Sequence, residues 1–309
     1  MRTGNCFFVT VFCLTLALTS FAQTAKDAAR SITVVTEPNA IVWLDDILRG
    51  KTDASGNLTI KLVSAGAHKI RVRADGYKEA SQNLLAAQRG EVKIALVKTN
   101  DPAELAFQEA ENLAVVDREK AVAAYRKAIG LRPKYAEAHL ALARVLLAMN
   151  NTEGALAAVK DARKARPGYA EASAVEGRIY VSEGDEEKAV AAFRRAITEG
   201  KNFQPEAQTG LGLLYNEKAE AAGGAGDAAA EEENYTLAVA HFKKAVAQLS
   251  GAPDAITIYQ FLGVAYEKMK KYAEAIAVYE EFLRAFPDSN EATAVQSFIV
   301  QLKKQMSEQ

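Results

Sequence analysis

The stretch AEAHLALARVLLAMNNTEGALAAVKDARKARP, residues 136–167, decides the fold. Counted from its first residue, small or apolar side chains fall at positions 7, 8, 11, 20, 24 and 27, and Pro167 closes the unit at position 32. Pro133 lies 34 residues before that proline. The same frame started at Ala170 or at Ile256 places small, apolar or aromatic residues at the matching positions. The chain therefore repeats one pattern with a period of about 34 residues.

The pattern predicts antiparallel pairs of amphipathic helices that stack on neighbouring pairs, because neither helix can bury its apolar face alone. Small residues stand at positions 8 and 20, where the two helices of a pair would cross closely: Ala143, Gly177, Gly212 and Gly263 in first helices, and Ala155, Ala189, Ala238 and Ala275 in second helices. Larger residues stand at position 24, where they would fill the space between units: Tyr125, Val159, Phe193, Phe242 and Tyr279.

These residues and their period resemble the tetratricopeptide repeat (TPR) family. The resemblance implies an all-α solenoid of about five repeats over residues 103–134, 136–167, 170–201, 205–253 and 256–287, closed by a capping helix and tail over 288–309. In the fourth unit an insertion, 216–233, is rich in Ala and Glu around GGAG. Either both helices are longer there or the insertion is a loop. An ordinary helical bundle is the alternative for the whole region, but a bundle has no reason to repeat at this length.

Composition and the first residues bound the class of protein. With 309 residues, 49% of them hydrophobic, a net charge of −1 and a pI near 6.4, the chain is typical of neither a disordered protein nor a nucleic-acid binder. Residues 1–22 begin with Arg2, continue in an apolar run and end in small residues, which predicts a secretory signal peptide. An uncleaved anchor is the alternative, although the run is short for a membrane span. Cys6 and Cys13 lie in this segment, so the mature chain would have no thiol.

Residues 31–96 change to a strand-like alternation with frequent turn signals. Candidate strands are 31–35, 40–44, 57–62, 68–74 and 91–97, which predicts a small all-β antiparallel sandwich over 29–98 ahead of the solenoid. The run 41–44 is apolar on both faces, which indicates a central strand with Trp43 in the core. The strand 68–74 places Lys69, Arg71 and Arg73 on one face, which we expect to face water.

The order EPNA, VWLDD, GKT, SAGAHKIRV and DGY resembles a PEGA domain, a bacterial extracytoplasmic module. The run GKTDASGNLTIKL resembles the carboxypeptidase regulatory-like modules. Both families are transthyretin-like sandwiches, so the resemblance implies the fold and names no ligand. The chain departs from the PEGA pattern at Asp46, where glycine is usual, and at Asp53, where proline is common.

The sequence predicts no catalytic residue, no cofactor and no metal site. His68, His139 and His241 stand apart without HExxH or another paired spacing. Asp45 and Asp46 adjoin at a strand end, which is more typical of a solvated turn than of an acid and base pair in a cleft. The glycines of GLG and GGAG do not follow a strand, so they do not indicate a phosphate cradle. We therefore predict a protein that is not an enzyme.

The resemblance to TPR arrays implies a concave groove lined by positions 2, 5, 9 and 12 of each first helix. The predicted groove residues are Glu137, Leu140, Arg144, Leu147, Glu171, Arg178, Val181, Glu206, Leu213, Asn216, Gln260, Val264 and Glu267. Arg144 and Arg178 would suit a carboxylate or the oxygens of an extended peptide, since a planar guanidinium can bind oxygens in pairs. Alternatively, the Glu and Arg side chains of neighbouring units pair with each other.

Two hypotheses for function follow. The first is an exported, non-catalytic adaptor in the periplasm or at the cell envelope, whose groove binds a protein or peptide segment and whose sandwich is an accessory envelope module. The second is an envelope anchor, in which Lys69, Arg71 and Arg73 bind an anionic glycan or peptidoglycan-type polymer while the repeats act as a spacer. Neither involves nucleic acid, and only an uncleaved signal would bring the chain to a membrane.

Overall fold

The computed structural model describes residues 30–308, so the predicted signal peptide lies outside the described residues. This part of the chain folds into seven strands followed by eleven helices. The strands are β1 (Arg30–Val35), β2 (Ile41–Leu44), β3 (Ile47–Lys51), β4 (Asn57–Val63), β5 (His68–Arg73), β6 (Ala80–Leu84) and β7 (Gly90–Lys93). The helices are α1 (Pro102–Leu113), α2 (Arg118–Leu131), α3 (Ala136–Ala148), α4 (Thr152–Ala165), α5 (Ala170–Glu183), α6 (Glu186–Glu199), α7 (Pro205–Gly224), α8 (Ala228–Leu249), α9 (Ala255–Lys268), α10 (Tyr272–Ala285) and α11 (Ala292–Ser307).

The strands form a sandwich of two sheets, ordered β4-β1-β7 and β3-β2-β5-β6. Alternate residues of each strand point inwards and build one core, which includes Ile32, Val34, Val42, Leu44, Ile60, Ile70, Val72, Leu84 and Val92. Most neighbours pair antiparallel, as predicted, but β1 and β7 pair in parallel. The chain leaves the four-stranded sheet after β6 and returns beside β1 in the same direction, which makes the three-stranded sheet mixed.

Two strands were not predicted, and both are edge strands. β3 lies between the predicted strands 40–44 and 57–62, and β6 lies in a polar stretch. Edge strands carry polar residues and little apolar alternation, so their sequence signal is weak. Asp45 and Asp46 form the two-residue turn between β2 and β3, with φ of 51° and 62°, the left-handed backbone that such tight hairpins require.

The prediction that Trp43 lies in the sandwich core is wrong. β2 is a central strand, but Val42 and Leu44 point into the core, and a period of two turns Trp43 to the opposite face. The run is apolar on both faces because both are covered, one by the second sheet and the other by the helices. Trp43 therefore belongs to the surface that faces the helical region.

The helices α1 to α10 form five antiparallel pairs in sequence order, and α11 covers the last pair, which confirms the predicted fold class. The second helix of each of the first four pairs begins at a side chain that accepts a hydrogen bond from its first turn: Asp117, Asn151, Asp185 and Asp227. Phe193 lies between two units, because a Cβ at Gly177 or at Gly210 would come within 2.6 Å or 2.3 Å of its ring. The insertion lengthens both α7, with 20 residues, and α8, with 22.

Candidate binding groove

The sandwich lies against the concave side of the solenoid, and its β2–β3 hairpin projects into the groove. Between them is a cavity of about 960 Å³, near the upper end of the range of about 300–1,000 Å³ that is usual for ligand pockets. The helices α3, α5, α7 and α9 supply one side of the cavity, and the segment from Trp43 to Leu48 supplies the other. The groove is therefore a composite site of both domains.

Five of the thirteen predicted groove residues line this cavity: Arg144, Glu171, Arg178, Glu206 and Leu213. Leu140 is buried in the helical core, where it is 6% exposed, so its side chain faces neighbouring helices. Glu137 pairs with Arg166, and Glu267 accepts a hydrogen bond of 2.5 Å from the hydroxyl of Tyr279. The remaining five, which the cavity lining does not include, are Leu147, Val181, Asn216, Gln260 and Val264.

The charged residues of the groove pair with one another across units, which is the alternative that the Glu and Arg positions left open. Glu206 of α7 accepts from Arg144 of α3 at 2.6 Å and from Arg178 of α5 at 3.1 Å. Each of these bonds uses one of the five N–H groups of a guanidinium, and both arginine side chains are more than two fifths exposed. The pairing thus orients the two guanidinium groups, and each keeps N–H groups that Glu206 does not use. Burial raises the pKa of Glu171, and the negative charge of Asp46 adds to this shift.

The hairpin side of the cavity was not recognised from the sequence. Asp45 accepts from the Nδ1 of His68 at 2.5 Å and from the backbone N–H of Lys69 at 2.9 Å, and Asp46 accepts from the Nε of Arg71 at 3.2 Å. These bonds fix the turn that was predicted to be merely solvated. The guanidinium carbon of Arg71 lies 4.1 Å from the centre of the Trp43 ring, which holds the indole in place.

The basic face predicted on β5 is mostly engaged within the protein. Arg73 is buried between Glu79 of the sandwich and Glu111 of α1, and its guanidinium lies 4.7 Å from the centre of the Phe107 ring. Arg71 pairs with Asp46 and Glu79. The expectation that this face is wet is therefore wrong for Arg73, because α1 packs over it. Lys69 is the member of the set for which the described residues provide no ion-pair partner.

The described part of the chain presents no group of three or more His, Cys, Asp or Glu side chains that could hold a metal ion. Each of the three histidine rings forms a hydrogen bond within the protein. His68 pairs with Asp45, His139 with the carbonyl of Pro133 at 3.0 Å, and His241 with Gln208 at 2.7 Å. No helix between residues 30 and 308 is both long enough and apolar enough to cross a membrane.

Sequence models of the tetratricopeptide repeat match residues 113–179, 170–199 and 217–288. The helical region consists of tetratricopeptide repeats. The three matches lie outside the sandwich, and comparison with curated proteins finds no match for the chain.

Several solved structures are similar to the helical region of this chain. Yeast Tom70 is 16% identical with a TM-score of 0.53, over 67% of this chain and 41% of its own. A TPR protein of Thermus thermophilus is 21% identical with a TM-score of 0.48, over 64% of this chain and 99% of its own. The pilF protein of Pseudomonas aeruginosa is 15% identical with a TM-score of 0.49, over 68% of this chain and 92% of its own. At 16% identity the likeness to Tom70 concerns the fold alone.

Proposed function

We propose that this protein is an exported, non-catalytic adaptor that binds a protein or peptide segment in the cavity between its TPR groove and its β2–β3 hairpin. TPR domains bind protein or peptide partners, which supports a scaffold role. The observation that carries the proposal is the composite cavity itself, since a concave and partly apolar space with a few oriented polar groups is typical of a ligand site.

The chemistry of the walls suits an extended segment. Leu213, Phe261 and Trp43 offer apolar surface for its side chains. Arg144 and Arg178 offer N–H groups for its backbone carbonyls or for a carboxylate. Because Glu206 already balances part of their charge, we expect the site to accept neutral backbone oxygens as well as anionic groups.

Export and location are part of the same proposal. The signal-like residues 1–22 support secretion, and we propose a periplasmic or cell-envelope location. The sandwich, which resembles a PEGA module, would be an accessory to the groove. Polymer binding through the basic face has less support, because Arg71 and Arg73 are already paired with carboxylates.

The experiment is crosslinking in cells followed by capture of the protein, with Leu213→Glu as the test variant. Leu213 is 39% exposed and lines the cavity, so a carboxylate there places charge on the binding surface without disturbing a core. We expect the crosslinked partner to be lost. Leu131→Glu is the matched control, because Leu131 is 50% exposed and lies outside the cavity. If both variants keep the same partner at wild-type yield, the groove is not the binding site.

A further inference from the structure

The sandwich spans the helical arc through two unequal attachments, of which the first is buried. Gln108 of α1 is 3% exposed, donates to the carbonyl of Tyr77 at 2.8 Å and accepts from the N–H of Gly76 at 2.8 Å. Asn112 of the same helix donates to Asp75 at 2.8 Å. Together with the buried Arg73, these contacts join the sandwich and the first repeat into one body.

The second attachment lies at the turn between α8 and α9, beside Ile47 of β3, which packs against the hydrophobic cluster of the last repeats. We call it the latch: Arg49 and Leu62 of the sandwich, with Ser250 and Gly251 of the turn. Arg49 donates through Nη1 to the carbonyl of Ser250 at 2.8 Å, and the hydroxyl of Ser250 donates to the carbonyl of Leu62 at 3.0 Å. Near the latch, Lys61 and Asp288 form an ion pair at 3.5 Å. Both side chains are largely exposed, so this pair contributes little to the stability of the attachment.

The backbone of the latch has an unusual conformation on both sides. The φ angle is 59° at Leu62, 46° at Ser250 and 74° at Gly251. All three lie in the left-handed region, which residues other than glycine rarely adopt. Such residues persist where surrounding contacts hold them in place. Here they bring the two carbonyl groups of Leu62 and Ser250 to their donors across the domain boundary.

The latch also stands between two cavities. The groove cavity reaches the turn at Leu249 and Asp254, whereas Leu62, Ser250 and Gly251 line a second cavity of about 1130 Å³ on the other side. Separation of the latch would therefore widen the mouth of the groove towards this second space. The solenoid can allow such a movement, since each repeat contacts mainly its neighbours and small changes at each interface add up to a change of curvature.

We propose that the sandwich, carried on the first repeat, is a gate over the TPR groove, closed by the latch, and that the latch opens to admit the partner segment. The proposal rests on the proposed function, because it concerns access to the same site. In the closed state the hairpin occupies part of the groove, so a segment longer than the cavity enters only when the latch separates. The closed state thus limits which partners bind and how fast.

A disulfide across the latch tests the gate. A Cβ built at Gly251 lies 3.3 Å from the Cβ of Leu62, close to the usual separation of about 3.5–4.5 Å in disulfides. The locked protein is Leu62→Cys/Gly251→Cys in a full chain with Cys6→Ser and Cys13→Ser, and its reduced form is the matched control. The opened protein is Arg49→Ala/Ser250→Ala, which loses the two side chains that donate hydrogen bonds across the latch and shifts the closed-to-open ratio by on the order of tenfold.

Acrylamide quenching of Trp43 is the first measurement, since the chain has a single tryptophan and it lines the cavity. We expect quenching to rise in the opened protein and to fall when the disulfide forms. Equal quenching in the opened, locked and reduced proteins would overturn the gate. Circular dichroism checks that each variant is folded, because a cysteine at φ of 74° is strained at position 251.

Crosslinking to the partner identified with Leu213→Glu is the second measurement. The oxidised, locked protein should lose capture of that partner, and its reduced form should retain it. Equal capture by the two forms would overturn control of access by the latch. If quenching responds to the latch while Leu213→Glu has no effect on capture, the proposed function fails and the movement of the gate stands, so the two failures are distinguishable.

Discussion

Arg73→Met is the substitution that tests most directly how the two domains are joined. Methionine keeps most of the length of the side chain and removes the guanidinium. Arg73 is 7% exposed and pairs with Glu79, at 2.7 Å, and with Glu111. Its charge also lies against the rings of Phe107 and Trp43, at 4.7 Å and 5.1 Å from their centres. Removal of the cation leaves the carboxylate of Glu111 without its partner at a domain boundary.

The expected loss is about 3 kcal/mol in the free energy of unfolding at pH 7. Breaking a buried ion pair by removing one partner usually costs about 3–5 kcal/mol, and the lower end applies because Glu111 is 26% exposed. Arg73→Met/Glu111→Gln should be closer to the wild type than Arg73→Met, since it leaves no unpaired charge at position 111.

The loss of unfolding free energy caused by Arg73→Met should become smaller as the pH falls. Burial raises the pKa of Glu111 above its ordinary value of 4.5, against the opposing effect of Arg73. Without Arg73 this pKa rises further, so folded Glu111 binds a proton at a pH where the unfolded chain does not. The folded variant therefore gains stability relative to its unfolded state as the pH falls through the raised pKa. The difference in the free energy of unfolding between the variant and the wild type should become smaller from pH 7 towards pH 4.5.

Urea unfolding followed by Trp43 fluorescence measures this gap, because the indole lies against Arg71 and Arg73. Lys69→Met is the control: it lies on the same strand, is exposed and has no ion pair within the described residues, so its effect should stay within about 0.5 kcal/mol. An Arg73→Met protein as stable as Lys69→Met, or a difference in unfolding free energy that does not change with pH, would show that Arg73 and Glu111 do not form a stabilising buried pair.

Two further predictions concern the repeats. Gly212→Ala should destabilise the protein by about 1–3 kcal/mol in urea unfolding, because the new Cβ would lie 2.5 Å from the ring of Phe242. Gly224→Ala in the same helix is the control. Its Cβ would meet no atom within 4 Å, so this substitution should be neutral or slightly stabilising. Burial lowers the pKa of His241 to about 4, so the unfolded chain takes up that proton more readily and stability should fall as the pH drops from about 6.5 to 4. His241→Gln should flatten this dependence, and titration of the His241 ring by proton NMR should give a midpoint near pH 4.

The repeat architecture was predictable because each unit obeys a local rule. A small residue at position 8, such as Gly212, and a large one at position 24, such as Phe242, are read directly from the sequence at a fixed spacing. The caps Asp117, Asn151 and Asp185 lie in the short turns that this spacing predicts. Helix pairs stack mainly on their neighbours, so the pattern of one unit carries the information needed for the next contact.

The candidate site was predictable only in part. Arg144, Arg178, Glu206 and Leu213 follow from their positions in the first helices, and the structure places them at the cavity. The hairpin that faces them does not follow from any repeat rule. One signal was present: the run of β2 is apolar on both faces, which indicated a second covering surface, although Trp43 was assigned to the wrong side.

The two classes of domain, the period of the repeats and the positions of the residues that pack between helices follow from the amino-acid sequence alone, because they depend on local spacing within each repeat. The folded chain was needed to reveal that the sandwich lies in the groove, that Arg73 is buried against α1 and that Ser250 contacts Leu62, 188 residues away. Such contacts join surfaces whose residues share no spacing along the chain. Their partners become known only when both domains are folded and in place.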